Sequence, residues 1–258
     1  MASKSSIESN VIQSYRNSTH LSIGCLLLLV SLLILGGHAK AEDIRVGVHI
    51  SPPWSFENKL GEILGVEKDI IEKSFANKGY SVSFEIYGYS RLLVEFSNQH
   101  LDFASPITAP MEGAYLTDIY LPFQDVSVSL SRRGLRIDAI EDLVGRNVVA
   151  YQQAHQVLGE KYRNLVASQD SYLEFAGRNN QLEMLFVERV DAVVGEKRIL
   201  TYVADNNHGP DQITIHHIFP ETHYGGAARS KKIVDDFNAG LVELRRSGEY
   251  EKILNQYK

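Results

Sequence analysis

In the stretch "RVDAVVGEKRIL", residues 189–200, an apolar run over 190–194 stops at Gly195 and an acid, Glu196, follows at once. Two chemical roles fit a carboxylate in that place. Glu196 can open the next helix, where the positive end of the helix dipole favours an acid. It can also face a crevice at the strand's carboxyl end and select a cationic ligand group, because an unpaired carboxylate in a closed site is unfavourable. Other candidates sit at similar strand ends. "SPPWSF" (51–56) has prolines that fix a loop, so Trp54 and Phe56 can form an apolar wall or stack on a ligand. "SPITAP" (105–110) offers the Ser105 and Thr108 hydroxyls and free backbone N–H groups. "AYQQAHQVLG" (150–159) runs from a strand into a helix, whose unpaired N–H groups attract anions. His155 lies there and can donate to an anion or respond to pH near neutrality. Each has a plain alternative: Trp54 as a core plug, Ser105 and Thr108 as turn residues, His155 as an exposed first-turn residue.

Other chemistries find little support. Of the nine histidines, His216 and His217 are adjacent and so point to opposite faces of a strand, while His49, His208 and His223 are scattered. No metal site and no cofactor is expected. Nucleophile elbows, Gly-rich phosphate loops and zinc spacings are not found. A formal net charge of −6 argues against nucleic acid, which calls for a basic footprint.

The elements that must position these residues alternate between strand and helix. Strand patterns cover 44–50, 80–88 and 101–104, with helices over 66–79 and 90–98. A second set follows the strand-like segment 126–134. It comprises a short helix, glycine turn and strand over 141–151, a helix over 154–164, a strand over 171–175, a helix over 179–190, a strand over 191–195, a helix over 197–205 and a strand over 213–219. Residues 230–257 are helical, with a stripe of Ile233, Phe237, Leu241 and Leu244 and a break at Gly248. Strands alternating with helices indicate an α/β class with parallel sheet. The joins at 126–134 and 213–219 are both extended, which suggests two stiff crossings between two lobes and capture by hinge closure.

The N-terminus reads as an export signal. Lys4 and Arg16 precede the apolar run 21–37, and Ala39 and Ala41 supply small residues for cleavage after Ala41. The alternative is an uncleaved membrane anchor formed by residues 21–37. Cys25, the one cysteine, falls in that segment, so the body would be held by its core without a disulfide.

In order and spacing, the sequence resembles the periplasmic solute-binding proteins that capture polar amino acids for ABC importers (extracellular solute-binding family 3, the type 2 periplasmic-binding fold). The resemblance covers nearly the whole chain beyond residue 43. It rests on "IRVGVHISPPWSFENKLGEILGVEKDII", "HLDFASPIT", "LTDIYLPF" and "IEDLVGRNVVAYQQAH", and most specifically on "ERVDAVVGE" and "LVELRRSGEYEKILNQY". It implies two α/β lobes joined by two hinge strands: residues 42–128 and 219–258 as lobe 1, and 129–218 as lobe 2. A small-molecule ligand between the lobes, an ABC permease as partner, a periplasmic location and a monomeric state follow from it. So do an aromatic wall at Trp54 and Phe56, a polar grip at Ser105 and Thr108, and an acid at Glu196 that pairs with the ligand's ammonium group.

One departure stands out. Relatives carry an arginine shortly after this threonine, which clamps the ligand's α-carboxylate in a bidentate fork. Here the chain reads Met111, Glu112, Gly113, and a carboxylate beside Glu112 would be repelled. Arg91 is a candidate substitute, although its place in "YSRLL" also suits an ordinary surface arginine in a first helical turn. Where His155 falls, relatives have a small hydroxyl residue. The expected ligand is therefore a small polar, amine-bearing molecule. The alternatives are a dehydratase of cyclic carboxylic acids on the same fold, with Glu112, Glu196 and His155 as acid–base groups, and a membrane-tethered sensory module.

Overall fold

The computed structural model describes residues 42–257, so the export signal and the rival anchor both lie outside the described residues. The first strand, β1 (Asp43–His49), alternates as its sequence predicts: Ile44, Val46 and Val48 are buried on one face. Its other face is covered too. A Cβ on Gly47 would lie 2.4 Å from Leu101 Cδ1 and 2.6 Å from Leu92 Cδ1, so a larger residue there would have to displace both leucines. After the two-residue strands β2 (Phe56–Glu57) and β3 (Ile63–Leu64) comes α1 (Val66–Ala76), which buries Val66, Ile70, Ile71 and Phe75. Next are β4 (Ser81–Tyr87), α2 (Tyr89–Ser97), β5 (Phe103–Ile107) and β6 (Tyr115–Leu116). Strands β4, β1 and β5 pair in parallel, with helices on both faces, as expected of a sheet built by crossover connections.

The chain then leaves this sheet through β7 (Leu121–Leu130). The second sheet is built from β8 (Val148–Ala150), β9 (Tyr172–Glu174), β10 (Ala192–Glu196) and β11 (Ile213–His216). Between them lie α3 (Ala154–Val157), α4 (Glu160–Val166), α5 (Arg178–Phe186) and α6 (Lys197–His208). Strands β10, β8 and β9 are parallel, and β7 pairs antiparallel with both β10 and β11. The return is β12 (Glu221–Ala228), followed by α7 (Lys231–Arg246) and α8 (Glu249–Gln256).

Two strands thus belong to both sheets. Residues 121–124 of β7 pair with 221–224 of β12 at the crossing. Downstream, β7 joins the second sheet, while 225–228 of β12 join β5 in the first. Apolar clustering follows the same division. One set of buried side chains comes from 44–121 and 227–254, the other from 126–219. This is the two-lobed α/β fold with two hinge strands.

Three readings of the sequence need correction. The first crossing starts earlier than 126–134: β7 begins at Leu121, and Ser131–Arg133 already form a 3-10 turn. The second crossing is not at 213–219. Residues 213–216 form an edge strand beside β7, and β12 makes the crossing. Its sequence, "ETHYGGAA", has no β-branched alternation, and its two glycines discourage a strand assignment. The glycines are required by packing: a Cβ on Gly226 would lie 2.4 Å from the Phe103 ring, and one on Gly225 would lie 2.7 Å from Thr117 Oγ1. Finally, the helix expected over 154–164 is two helices, broken at Gly159, whose φ of 93° few other residues adopt.

The C-terminal stripe packs as its spacing predicts, with Phe237, Leu241 and Leu244 buried and Ile233 partly buried. Gly240 lies on the same face and sets how closely α7 approaches α1: a Cβ there would lie 1.9 Å from the Ser74 carbonyl oxygen. Gly240→Ala must push the two helices apart. It is expected to lower unfolding free energy by about 1–3 kcal/mol, read from urea midpoints, despite alanine's better helix propensity.

Candidate functional site

Between the lobes lies a cavity of about 180 Å³. Its lining holds Glu67, Asp125, Arg178 and Glu196 together with His49, set among Trp54, Phe123, Tyr151 and Tyr224. A wider space of about 1010 Å³ adjoins it, sharing Tyr151 and Arg178 and reaching Tyr89, Gln152, Gln153 and Glu174. Both lie at the carboxyl ends of β1, β8 and β10, where open α/β sheets place ligands.

Glu196 opens the next helix and also lines the cavity between the lobes. It is buried, and its Oε2 accepts from the Ile199 backbone N–H at 2.9 Å, which caps α6. The same oxygen accepts from Trp54 Nε1 at 3.1 Å, across from the other lobe. Burial raises its pKa, with the backbone and indole donors opposing. Trp54 is itself fully buried, edge-on to Phe123 with centroids 4.4 Å apart, and the Arg198 guanidinium lies over its ring at 5.4 Å. The wall residue and the acid therefore meet in one contact.

Two further carboxyl groups were not singled out by the sequence. Glu67, in the first turn of α1, accepts from Ser55 Oγ at 2.9 Å and from Ser105 Oγ at 2.6 Å. With its proton directed at Glu67, Ser105 accepts from the Tyr120 hydroxyl. Burial pushes the Glu67 carboxyl up to about 7, against those hydroxyl donors. Asp125, on hinge strand β7, is pushed up to about 6, again by burial. Nothing local marked Glu67, which shares the first turn of α1 with Lys68 and Asp69. Asp125 gave no signal, since only the strand crossing brings it to the cleft. His49 is held below its usual pKa by burial, so it adds no positive charge at neutral pH.

The structure places the remaining candidates as follows. Ser105 is buried beneath the cleft and reaches it through Glu67. Thr108 is exposed, and its Oγ1 lies 2.7 Å from the Tyr89 hydroxyl at the rim of the wider space. Phe56 lies outside the lining of both spaces and packs against Tyr202 of the other lobe at 6.0 Å. Glu112 is exposed, and only its backbone carbonyl is engaged, by Arg229. Arg91 is exposed and pairs with Glu95 along α2. His155 is partly buried, with Nδ1 2.9 Å from Glu174 Oε1. Glu174 also accepts the backbone N–H groups of Gln153 and His155, both at 2.8 Å, and the Tyr172 hydroxyl. The start of α3, read in the sequence as an anion site, is occupied by the chain's own carboxylate.

Among the described residues, no group of three His, Cys, Asp or Glu side chains is arranged to hold a metal ion. No helix among them is long and apolar enough to cross a membrane.

Residues 44–258 match the family described as bacterial extracellular solute-binding proteins, family 3. The chain belongs to that family. This solute-binding protein is 26% identical over 231 residues to an arginine-binding periplasmic protein of Mannheimia haemolytica, covering 85% of this chain and 92% of the relative. It is 24% identical over 226 residues to a probable histidine-binding protein of Neisseria gonorrhoeae, covering 84% and 83% respectively. Its fold matches the crystal structure of a polar amino acid ABC uptake transporter substrate binding protein from Streptococcus thermophilus, with a TM-score of 0.65, 21% identity, and coverage of 83% and 85%. Membership settles the choice between binder and enzyme: the family binds solutes and hands them to permeases in the periplasm or outside the cell.

The Glu67 carboxyl links stability of this solute-binding protein to pH. Its folded pKa of about 7 exceeds its ordinary 4.5, so the folded state holds the proton longer than the unfolded state. Stability should therefore fall as pH rises between those values, by roughly 3 kcal/mol at most. Glu67→Gln removes the titration, keeps an acceptor for one serine and turns an amide N–H toward the other. Its urea midpoint should exceed that of the wild type increasingly from pH 5 to pH 8. A constant difference would show that Glu67 does not titrate in this range.

Proposed function

We propose that this protein closes its lobes on a small cationic amino acid or related amine and delivers it to an ABC permease of the inner membrane. On this reading it is exported with cleavage after Ala41 and works as a monomer, and the lobe bounds expected from the sequence, 42–128 with 219–258 and 129–218, move to the strand crossing at 121–124 and 221–224. The observation that carries the reading is charge. Glu67, Asp125 and Glu196 line one cavity of about 180 Å³, opposed by Arg178 alone. All three are displaced toward the protonated form by burial, which a positively charged guest would reverse. The arginine-binding and histidine-binding relatives support the same ligand class. Trp54, Phe123 and Tyr224 add the aromatic walls suited to a cation or an apolar stem. The ligand stabilises the closed state by the contacts it adds to the second lobe.

Thermal-shift and calorimetric titration of the purified protein with L-arginine, L-lysine and L-histidine tests this. A ligand at a hundred times its dissociation constant adds about 2.7 kcal/mol of stability. Glu196→Gln keeps the acceptor for Ile199 and Trp54 but removes the charge, and should weaken a cationic ligand by about tenfold or more. Affinity for the cation should also rise as pH passes upward through 6 and 7, where Asp125 and Glu67 lose their protons. An affinity unaffected by both the substitution and pH would overturn the cation reading.

A further inference from the structure

The family's arginine after Thr108 is absent, and Arg91 pairs with Glu95 on an exposed helical face. The start of α3 is filled by Glu174. Among the described residues that line the two cleft spaces, Arg178 carries the one guanidinium, and it lines both. It sits on the second lobe, as the first residue of α5. A guanidinium has five N–H donors. The hydrogen bond seen for Arg178 is a long one of 3.4 Å, to Gln181 in its own helix. Its Cζ lies 5.1 Å from the centroid of the Tyr151 ring, and no carboxylate among the described residues is within ion-pair reach. Burial lowers its pKa, with Tyr151, Asp125 and Glu196 opposing more weakly from a distance. Arg178 is thus partly buried and has gained few acceptors, an arrangement that a bound anionic group would complete.

We propose that Arg178 is the carboxylate clamp of this protein, supplied by the second lobe instead of the first. The ligand then carries a carboxylate as well as a cation. It lies with its positive end among Glu67, Asp125 and Glu196, and with its carboxylate at the junction of the two spaces. The Tyr151 ring beside the guanidinium helps hold it in place, and its fork can offer two parallel N–H groups to two carboxylate oxygens. This rests on the cation reading of the cleft and narrows it from amines in general to amino acids.

The test compares pairs that differ only in the carboxylate: L-arginine with agmatine, and L-histidine with histamine. Each is titrated calorimetrically into wild type, Arg178→Gln and Arg178→Lys. The wild type should bind the amino acid of at least one pair about tenfold or more tighter than its decarboxylated partner. Arg178→Gln should remove most of that preference while changing amine affinity by less than about threefold, and Arg178→Lys should restore part of it. A wild type that binds an amine as tightly as its amino acid overturns the clamp and leaves the cation site standing. Equal loss of both ligands in Arg178→Gln does the same. Binding of no member of either pair overturns both. Should Arg178→Gln not fold, the wild-type preference and Arg178→Lys still decide the matter.

Discussion

Four backbone pairs, Leu121 to Gln124 against Tyr224 to Glu221, carry the sheet from one lobe to the other, and the rest of the molecule is arranged by them. Each partner strand leaves the crossing into a different sheet. The twist at that point aims the next residues into the space between the lobes. Phe123 and Asp125 come from one strand, and Tyr224 from the other. The floor of the cleft is therefore hinge backbone, and the walls are strand ends of the two lobes. A connection of two strands also confines any hinge motion to a few residues. A few φ/ψ changes there move a whole lobe without disturbing either core.

The same geometry explains the unusual electrostatics. Strand ends deliver side chains to a space that excludes much of the solvent, so every carboxyl that reaches it is penalised for its charge. Glu196 offsets this with a helix start and an indole, Glu67 with two serine hydroxyls, and Asp125 with little beyond a distant tyrosine. Arg178 is penalised in the opposite sense and remains unpaired among the described residues. A site that holds three carboxyls and one guanidinium apart, each without a close counter-ion, is complementary to a molecule carrying both charges. It is poorly suited to an apolar guest.

The Trp54–Glu196 contact gives two residues that line the cleft a structural role as well. It joins the lobes directly, and Phe56 against Tyr202 and Arg198 on the Leu254 carbonyl do so nearby. The lobes thus touch along one side of the cleft, while the side facing Tyr89, Gln152 and Glu174 is wide.

Much of the fold was legible in the sequence because local pattern decides it. Alternation in β1, the helical stripes of α1 and α7 and the apolar run before Glu196 depend on residues close in the chain, and solvent exclusion acts on them in any compact fold. Trp54 and Glu196 could be named because strand ends in an α/β chain face the crevice. The second hinge strand could not, since the glycines of "ETHYGGAA" are explained only by Phe103 and Thr117, far away in sequence. For the same reason the sequence alone could not bring Asp125 to the cleft, fill the α3 start with Glu174, or set Arg178 over Tyr151. The amino-acid order determined the two-lobed α/β class and the acid at the end of β10. Tertiary structure decided which charges share a cavity, because the pairing of β7 with β12 joins residues about a hundred positions apart and no local periodicity encodes that distance.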